Sequence, residues 1–540
     1  MLKKALKPFL IAISLVILIA IRFIYLNEFP VGVLNDEVDV TLSSKSYFDN
    51  GTDLSGVPFP KSLFVTNTWA GLSGLPSYLL SPIYGPFELL PIVIRAPFVI
   101  VSIFIGLFIS LIIFELTKNK KFSLISFFVS LINPWLYFYS RQPTEAPFAL
   151  LFALIGIYLF FKLKFQKIIY PFIFFILSFY SYFGAKPVIP VLLLSLSLFN
   201  KKLVIISISF VLLLTSSYFY ISKSLNGSTL SQRSNQITFL NLEKYAEVVN
   251  QNRRVSVDFL LKEVFYNKFT VFAKITTSKF VNQFSPEFLF LSGDGVVPFA
   301  DHGVLYLLDG LMIIIALYYF SNSKDKGEKN LLVLCLILFI SGSVASTIST
   351  VGNQFVFRSF LHIPLYIILI SYGIYKFNFK VVVVGLYILL FINFLIFFLF
   401  RYSIDQQDNH FITERIVASY LNRTKLETIV VTSESERIYY QTVFYNKHAQ
   451  RKLFTNICPK IEIGKTYLID SKLDCTIDGD FVVIQSQKDS GVKYRIYDDK
   501  LCNFDDLTPY RRVHFISDYD VERLDDKIFC NRWIQNGKTN

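Results

Sequence analysis

Long apolar runs separated by short polar connections set the rhythm of this chain. Residues 8–26, "PFLIAISLVILIAIRFIYL", are long enough to cross a bilayer and follow Lys3, Lys4 and Lys7. No small-residue cleavage site comes after them, so the run is expected to stay as a first membrane helix, not to leave as a signal peptide. Further apolar stretches run at about 89–116, 122–139, 146–161, 168–183, 187–199, 203–221, 303–320, 331–349, 359–375 and 381–400. The pattern predicts an α-helical polytopic membrane protein of about eleven transmembrane helices, with 187–199 short for a full span.

The connections alternate in charge. "KNKK" (118–121), "KLKFQK" (162–167), "NKK" (200–202), "KDKGEK" (324–329) and "KFNFK" (376–380) are basic, whereas the short connections between them contribute only Arg141, Lys186 and Arg358. With the N-terminus inside, every basic run falls inside, as the positive-inside rule expects. The acidic loop 27–88 and the long polar segment 222–302 then lie outside. An odd number of helices also delivers residues 403–540 to the outside of the cytoplasmic membrane. The expected organisation is a membrane domain over 1–402 and an exterior domain over 403–540. That tail alternates strand-like "ETIVVTS", "KTYLID", "DFVVIQS" and "VKYRIYD" with the more helical "ERIYYQTVFYNK", the pattern of a small α/β domain.

Composition agrees with lipid as the solvent. Of 540 residues, 53% are hydrophobic and 17% charged, with a mean hydropathy of +0.48. A soluble chain of this size has too little interior for that much apolar surface. The net charge of +13 does not mark a nucleic-acid surface, because residues 403–540 hold 21 acidic and 20 basic side chains. The positive surplus therefore lies in the short runs between apolar segments. Cys335 sits inside an apolar run, while Cys458, Cys475, Cys502 and Cys530 all fall in the exterior tail, where an even count suits two disulfides. Their spacing contains no C-x-x-C pair, which disfavours zinc.

The first candidate chemistry is "NEFPVGVLNDEVDV" (27–40), where Asp36, Glu37 and Asp39 cluster just after the first span. Pro30 and Gly32 break that helix, and Asn35 is placed to cap a new one that starts at Asp36. The new helix would put Val38, Leu42 and Lys45 along one side at the membrane interface. Three acids in a first turn complement a helix dipole, which is the plain structural reading. A carboxylate at the outer surface can also take a proton from an acceptor hydroxyl, and Asp36 with Asp39 could instead hold a divalent ion. In "NPWLYFYSRQPTEAPF" (133–148), Arg141 is either an anchor in an aromatic belt or a fork for a lipid-linked phosphate, with Glu145 four residues on. Arg95, Lys186 and Arg358 fall at the same depth, and His362 follows Arg358 by four residues. Four outer cations could line a phosphate cavity.

In the loop 222–302, "SGDG" lacks the Gly-Lys-Ser/Thr ending of a phosphate loop. His302 with Asp301 carries ligand or metal donors, and a solvated loop end explains them as well. Asn226 and Asn422 lie in sequons. No G-x-S-x-G, H-E-x-x-H or Walker motif occurs, and no nucleotide site is evident, so an activated substrate is expected to arrive through the membrane.

Taken in order, "P-x-G-x-x-x-D-E", "GVPFP", "GLSGLPSYLLSPIYGPFELLPIVIRAPFVI" and "NPWLYFYSRQPTEA" resemble the glycosyltransferase C superfamily. The branch it resembles is that of bacterial integral-membrane relatives of protein O-mannosyltransferases and lipid A aminoarabinose transferases. "SPEFLFLSGDG", "HGVLYLLDG" and "FRSFLHIP" extend the likeness through about residue 400. The resemblance implies transfer of a sugar from a polyprenyl-phosphate donor to a protein, lipid or glycan acceptor on the outer face, with inversion expected. It implies Asp36 as general base with Glu37 beside it. Arg141 and Lys186, then Arg95 and Arg358, would take the donor phosphate. Asp39, Glu145, His302 and His362 are secondary candidates on the acceptor side. Some relatives use a divalent metal and others do not, and this sequence carries no unambiguous metal site. A polysaccharide transporter or flippase, and a ligase or polymerase using a diphosphate-linked donor, remain the alternatives.

Overall fold

The computed structural model describes residues 2–402, except 31, 55, 65–72, 164–166, 201–202, 225–243, 295–301 and 350–354. Beyond 402 it describes 428–432, 440–441, 443–445, 460–463, 466–470, 482–486 and 494–497. The first half holds α1 (Leu2–Ile21), α2 (Asn35–Asn50), α3 (Gly74–Tyr84), α4 (Pro91–Thr117), α5 (Lys120–Ile132), α6 (Pro134–Tyr139), α7 (Ala146–Lys162), α8 (Ile169–Ser181), α9 (Ala185–Leu196) and α10 (Leu203–Ser224). Then follow α11 (Lys244–Val255), α12 (Lys268–Asn282), α13 (Leu307–Asn322), α14 (Lys326–Ile348), α15 (His362–Lys376) and α16 (Lys380–Ile396).

The apolar stretches read from the sequence are largely helical, and two differences in their ends matter for the site. The first helix stops at Ile21, five residues before its apolar run does. The stretch 122–139 is broken at Asn133, whose extended backbone ends α5 and whose Oδ1 accepts the Leu136 N–H at 3.0 Å to cap α6. Pro134, at the first position of α6, has no N–H to continue the earlier ladder.

Among the described residues, Pro91–Thr117, Leu203–Ser224, Lys326–Ile348 and Val381–Tyr402 are long and apolar enough to cross a membrane. Five more apolar helices are shorter, α8 among them with 13 residues. At 1.5 Å per residue such a helix measures about 20 Å, against a hydrocarbon core of about 30 Å. A count of about eleven spans is therefore not a property of helix length alone. The outer faces favour lipid. Along α16, Val383, Tyr387, Phe391 and Phe394 form one buried stripe, while Val381, Val384, Ile388, Leu389 and Ile392 on the other sides are about half exposed or more. Apolar side chains all round a helix mark a membrane environment. In the interior, α4 packs on α5 and α7, and α15 packs on α5, α13 and α14. Every residue of α15 from His362 to Ile374 is buried.

In the tail, the four strand-like runs are strands: β1 (Thr428–Thr432), β3 (Thr466–Asp470), β4 (Val482–Ser486) and β5 (Tyr494–Tyr497). A fifth, β2 (Lys460–Ile463), was too short and too mixed in polarity to read from its residues. The order is β2-β3-β1-β4-β5, with β1 parallel to both β3 and β4 and the two edge strands antiparallel. Cys458, Cys475, Cys502 and Cys530 lie outside the described residues.

Candidate functional site

The chain between α1 and α2 is held by its own carbonyl oxygens. Arg141 donates through Nη1 to the carbonyls of Tyr25 at 3.0 Å and Phe29 at 3.2 Å, and through Nη2 to those of Arg22 and Ile24. Arg95, from α4, donates to Leu26 at 2.9 Å and Gly32 at 2.7 Å. Arg22 reaches the other way, to the carbonyls of Ser130, Leu131 and Leu136 and to Ser102 Oγ. All three guanidiniums are fully buried, and the Tyr137 ring lies 5.3 Å from that of Arg22 and 5.4 Å from that of Arg141. A buried charge survives only where hydrogen bonds and partial charges replace its water, and carbonyl oxygens supply both here. Sequence reading did not single out Arg22. Its signal was an arginine inside an otherwise apolar run.

That clamp delivers α2 with its acidic end fixed. Helix α2 begins at Asn35 itself, with Leu34 at the cap position and no side-chain cap. The expectation that Asn35 caps a helix starting at Asp36 is thus corrected. Asn35 Oδ1 is turned to Gln441 Nε2, 3.1 Å away. Nor does α2 keep one long side in solvent. Glu37 to Ser44, Ser46 and Tyr47 are all buried, the helix packs on α3, and Lys45 donates to the carbonyls of Gly85 and Phe87. It ends where Gly51 takes a left-handed conformation at φ 73°.

The three acids are treated differently by this packing. Glu37 is fully buried, with Oε2 3.7 Å from Arg95 Nη2. Tyr84 lies near it, and burial first, then the Glu37 charge, raises that phenol well above its ordinary range. Asp39 is buried and accepts from Ser43 Oγ at 3.0 Å. Asp36 keeps part of its surface in solvent.

The other sequence candidates fall in several places. Glu145 is buried and accepts the Ser73 backbone N–H. Lys186 is half-buried with its ammonium 4.6 Å from the Phe183 ring centre and 5.1 Å from that of Tyr218. Arg358 donates to Ser349 Oγ, and Lys279 of α12 donates to the carbonyl of the same serine. Two cations thus meet at one residue, and burial first, then Arg358, lowers the Lys279 pKa. Lys279 was missed in the sequence because nothing around it distinguishes it from other lysines of a polar loop. His302 hydrogen-bonds Gly303 O and stacks on Phe397, and burial lowers its pKa. His362 is buried among Phe284, Phe339 and Tyr366, beside Ser343 Oγ at 3.2 Å. Asp294 of "SGDG" accepts the Val356 N–H, which ties that loop to the segment before Arg358. Among the described residues, no group of three or more His, Cys, Asp or Glu is placed to hold a metal ion.

No protein-family model matches the chain, and no curated protein matches it. The chain is similar to several solved structures, among them these three. ArnT from Cupriavidus metallidurans in the apo state aligns at 12% identity over 78% of this chain and 64% of that one, with a TM-score of 0.38. ArnT bound to undecaprenyl phosphate aligns at 11% over 88% and 93%, with a TM-score of 0.47. The Archaeoglobus fulgidus oligosaccharyltransferase tethered with an acceptor peptide aligns at 12% over 81% and 63%, with a TM-score of 0.45. The chain thus spans less than two thirds of the apo ArnT and oligosaccharyltransferase chains. Likeness at this level leaves the chemistry to be argued from the residues.

Proposed function

We propose that this protein is a glycosyltransferase that moves a hexose or pentose from a polyprenyl-phosphate donor to an acceptor hydroxyl at the outer face of the cytoplasmic membrane. The observation that carries the reading is the contrast at the head of α2. Glu37 and Asp39 are buried, and Asp36 alone of the three acids keeps solvent exposure, in the first turn of the helix that follows the loop clamped by Arg95 and Arg141. A base that meets a diffusing acceptor needs that exposure together with a fixed position. The ordered motifs from "P-x-G-x-x-x-D-E" to "FRSFLHIP" support the same class.

The acceptor oxygen attacks the anomeric carbon while Asp36 removes its proton. The bond from that carbon to the phosphate oxygen breaks, and the electron pair leaves with the polyprenyl phosphate. One displacement inverts the centre. Lys186, Arg358 and Lys279 stabilise the phosphate charge. Arg95 and Arg141 act on the loop through its carbonyls, and Glu37 supports Asp36 by fixing Arg95. The membrane domain covers 1–402 with about eleven spans, the N-terminus inside and the exterior α/β domain at 403–540. No metal step is included.

The test is transfer by the full-length protein in nanodiscs, offered labelled polyprenyl-phosphate sugars and their diphosphate counterparts with a panel of protein, lipid and glycan acceptors. Transfer from the monophosphate alone supports the reading. Transfer from the diphosphate alone makes the protein a ligase or polymerase. Donor movement across the membrane without transfer makes it a transporter.

A further inference from the structure

The exterior tail reaches the acidic loop directly. Gln441 belongs to the helical turn that includes Tyr440 and residues 443–445, and it is 1% exposed. Tyr440, Val443 and Phe444 beside it are buried in the same core as the membrane helices. Gln441 Nε2 donates to Asn35 Oδ1 at 3.1 Å and to Val33 O at 3.4 Å, across 406 and 408 positions of sequence. Both hydrogens of that amide are thereby directed at the two residues flanking Leu34, immediately before Asp36.

This completes a series. The carbonyls of Arg22, Ile24, Tyr25 and Phe29 go to Arg141, and those of Leu26 and Gly32 go to Arg95. The Val33 carbonyl is the next acceptor along the loop, and its donor comes from the tail. Arg95 and Arg141 stand on the membrane domain, so they fix where the loop lies. Gln441 reaches the start of α2 itself, through the Asn35 side chain and the Val33 carbonyl.

We propose that Gln441 is a positioning residue for Asp36, and that the tail segment around it is a wall of the transfer site. The tail would then be required for turnover even if it binds no substrate. The inference rests on the transferase reading for its kinetic consequence, but the contact itself is tested without it.

The experiment uses the full-length protein in nanodiscs, as wild type, Gln441→Ala and Gln441→Met, the last keeping the length of the side chain without charge while removing its amide donor. Hydrogen exchange followed by mass spectrometry reads residues 33–40, and transfer kinetics read kcat, the donor KM and the pH profile. Exchange at 33–40 is expected to rise in both variants while α4 and α15 keep their protection. Turnover is expected to fall by about tenfold to a hundredfold, as misplaced groups do, with the donor KM unchanged and the pH profile of kcat displaced. If Gln441→Ala loses protection throughout, Gln441→Met decides. Raised exchange with no transfer by the wild type would leave the contact standing and remove the transferase reading. Unchanged exchange at 33–40, or raised exchange with kcat and its pH profile unchanged in an active enzyme, would overturn the proposal.

Discussion

The Arg95 guanidinium and the Glu37 carboxylate approach to 3.7 Å, and neither side chain reaches solvent. Arg95 also holds the carbonyls of Leu26 and Gly32, so one side chain joins the loop to the helix that carries the acids. Removing one member of a buried ion pair leaves the other charge uncompensated, at a cost of about 3–5 kcal/mol. Arg95→Ala is therefore expected to lower the thermal unfolding midpoint in detergent far more than Glu37→Gln, which keeps the carbonyl contacts of Arg95. The double variant should be more stable than the sum of the two losses predicts. Strict additivity would show that the two charges do not act on each other.

Lys279 and Arg358 carry a pH dependence of stated sign. Burial and then Arg358 hold the Lys279 ammonium below the ordinary lysine range. Anion affinity that draws on Lys279 is full below the lowered value and declines as pH rises through it, before an exposed lysine would titrate. Its linkage to folding has the opposite sense. The unfolded chain holds the proton more tightly, so the unfavourable contribution of this group is relieved as pH rises towards the ordinary range. Arg358→Gln should raise the donor KM and displace its alkaline rise to higher pH, read from KM at a series of pH values. A KM that ignores both changes would remove the pair from phosphate binding.

Gly342 of α14 faces His362 of α15, and a Cβ there would sit 2.6 Å from His362 Cδ2. Both residues are buried within the bundle. Gly342→Ala is expected to destabilise by about 1–3 kcal/mol through overpacking. His362→Ala in the same background should recover part of the loss. Thermal unfolding in detergent reads both, and a neutral Gly342→Ala would show that the two helices separate without cost.

The helices were legible because an apolar run in lipid has one way to satisfy its backbone, and four strands of the tail were legible from their alternating or β-branched runs. The breaks were harder. Asn133 looks like any residue of a long apolar segment until its cap is seen, and the end of α1 at Ile21 depends on Arg22 finding carbonyls more than a hundred residues away. The acids are visible by their clustering, but their division into two buried members and one partly exposed member is not, because it depends on α3 packing on α2 and on Arg95 reaching Glu37. In the sequence Arg95 and Arg141 stand as cations at the depth of a phosphate site. Charge and depth were visible in the sequence, and the carbonyls that occupy them were not. Gln441 and Lys279 carried no signal, since their partners are set by tertiary packing alone.

The central claim is that Asp36 is the base. The most direct measurement is sugar transfer from labelled polyprenyl-phosphate donors by membranes carrying the wild type and Asp36→Asn at equal expression. Loss of a positioned base predicts a fall of about a hundredfold or more in kcat with the donor KM little changed. Equal turnover in the two would contradict the account and leave Asp36 as the acidic first turn of a helix.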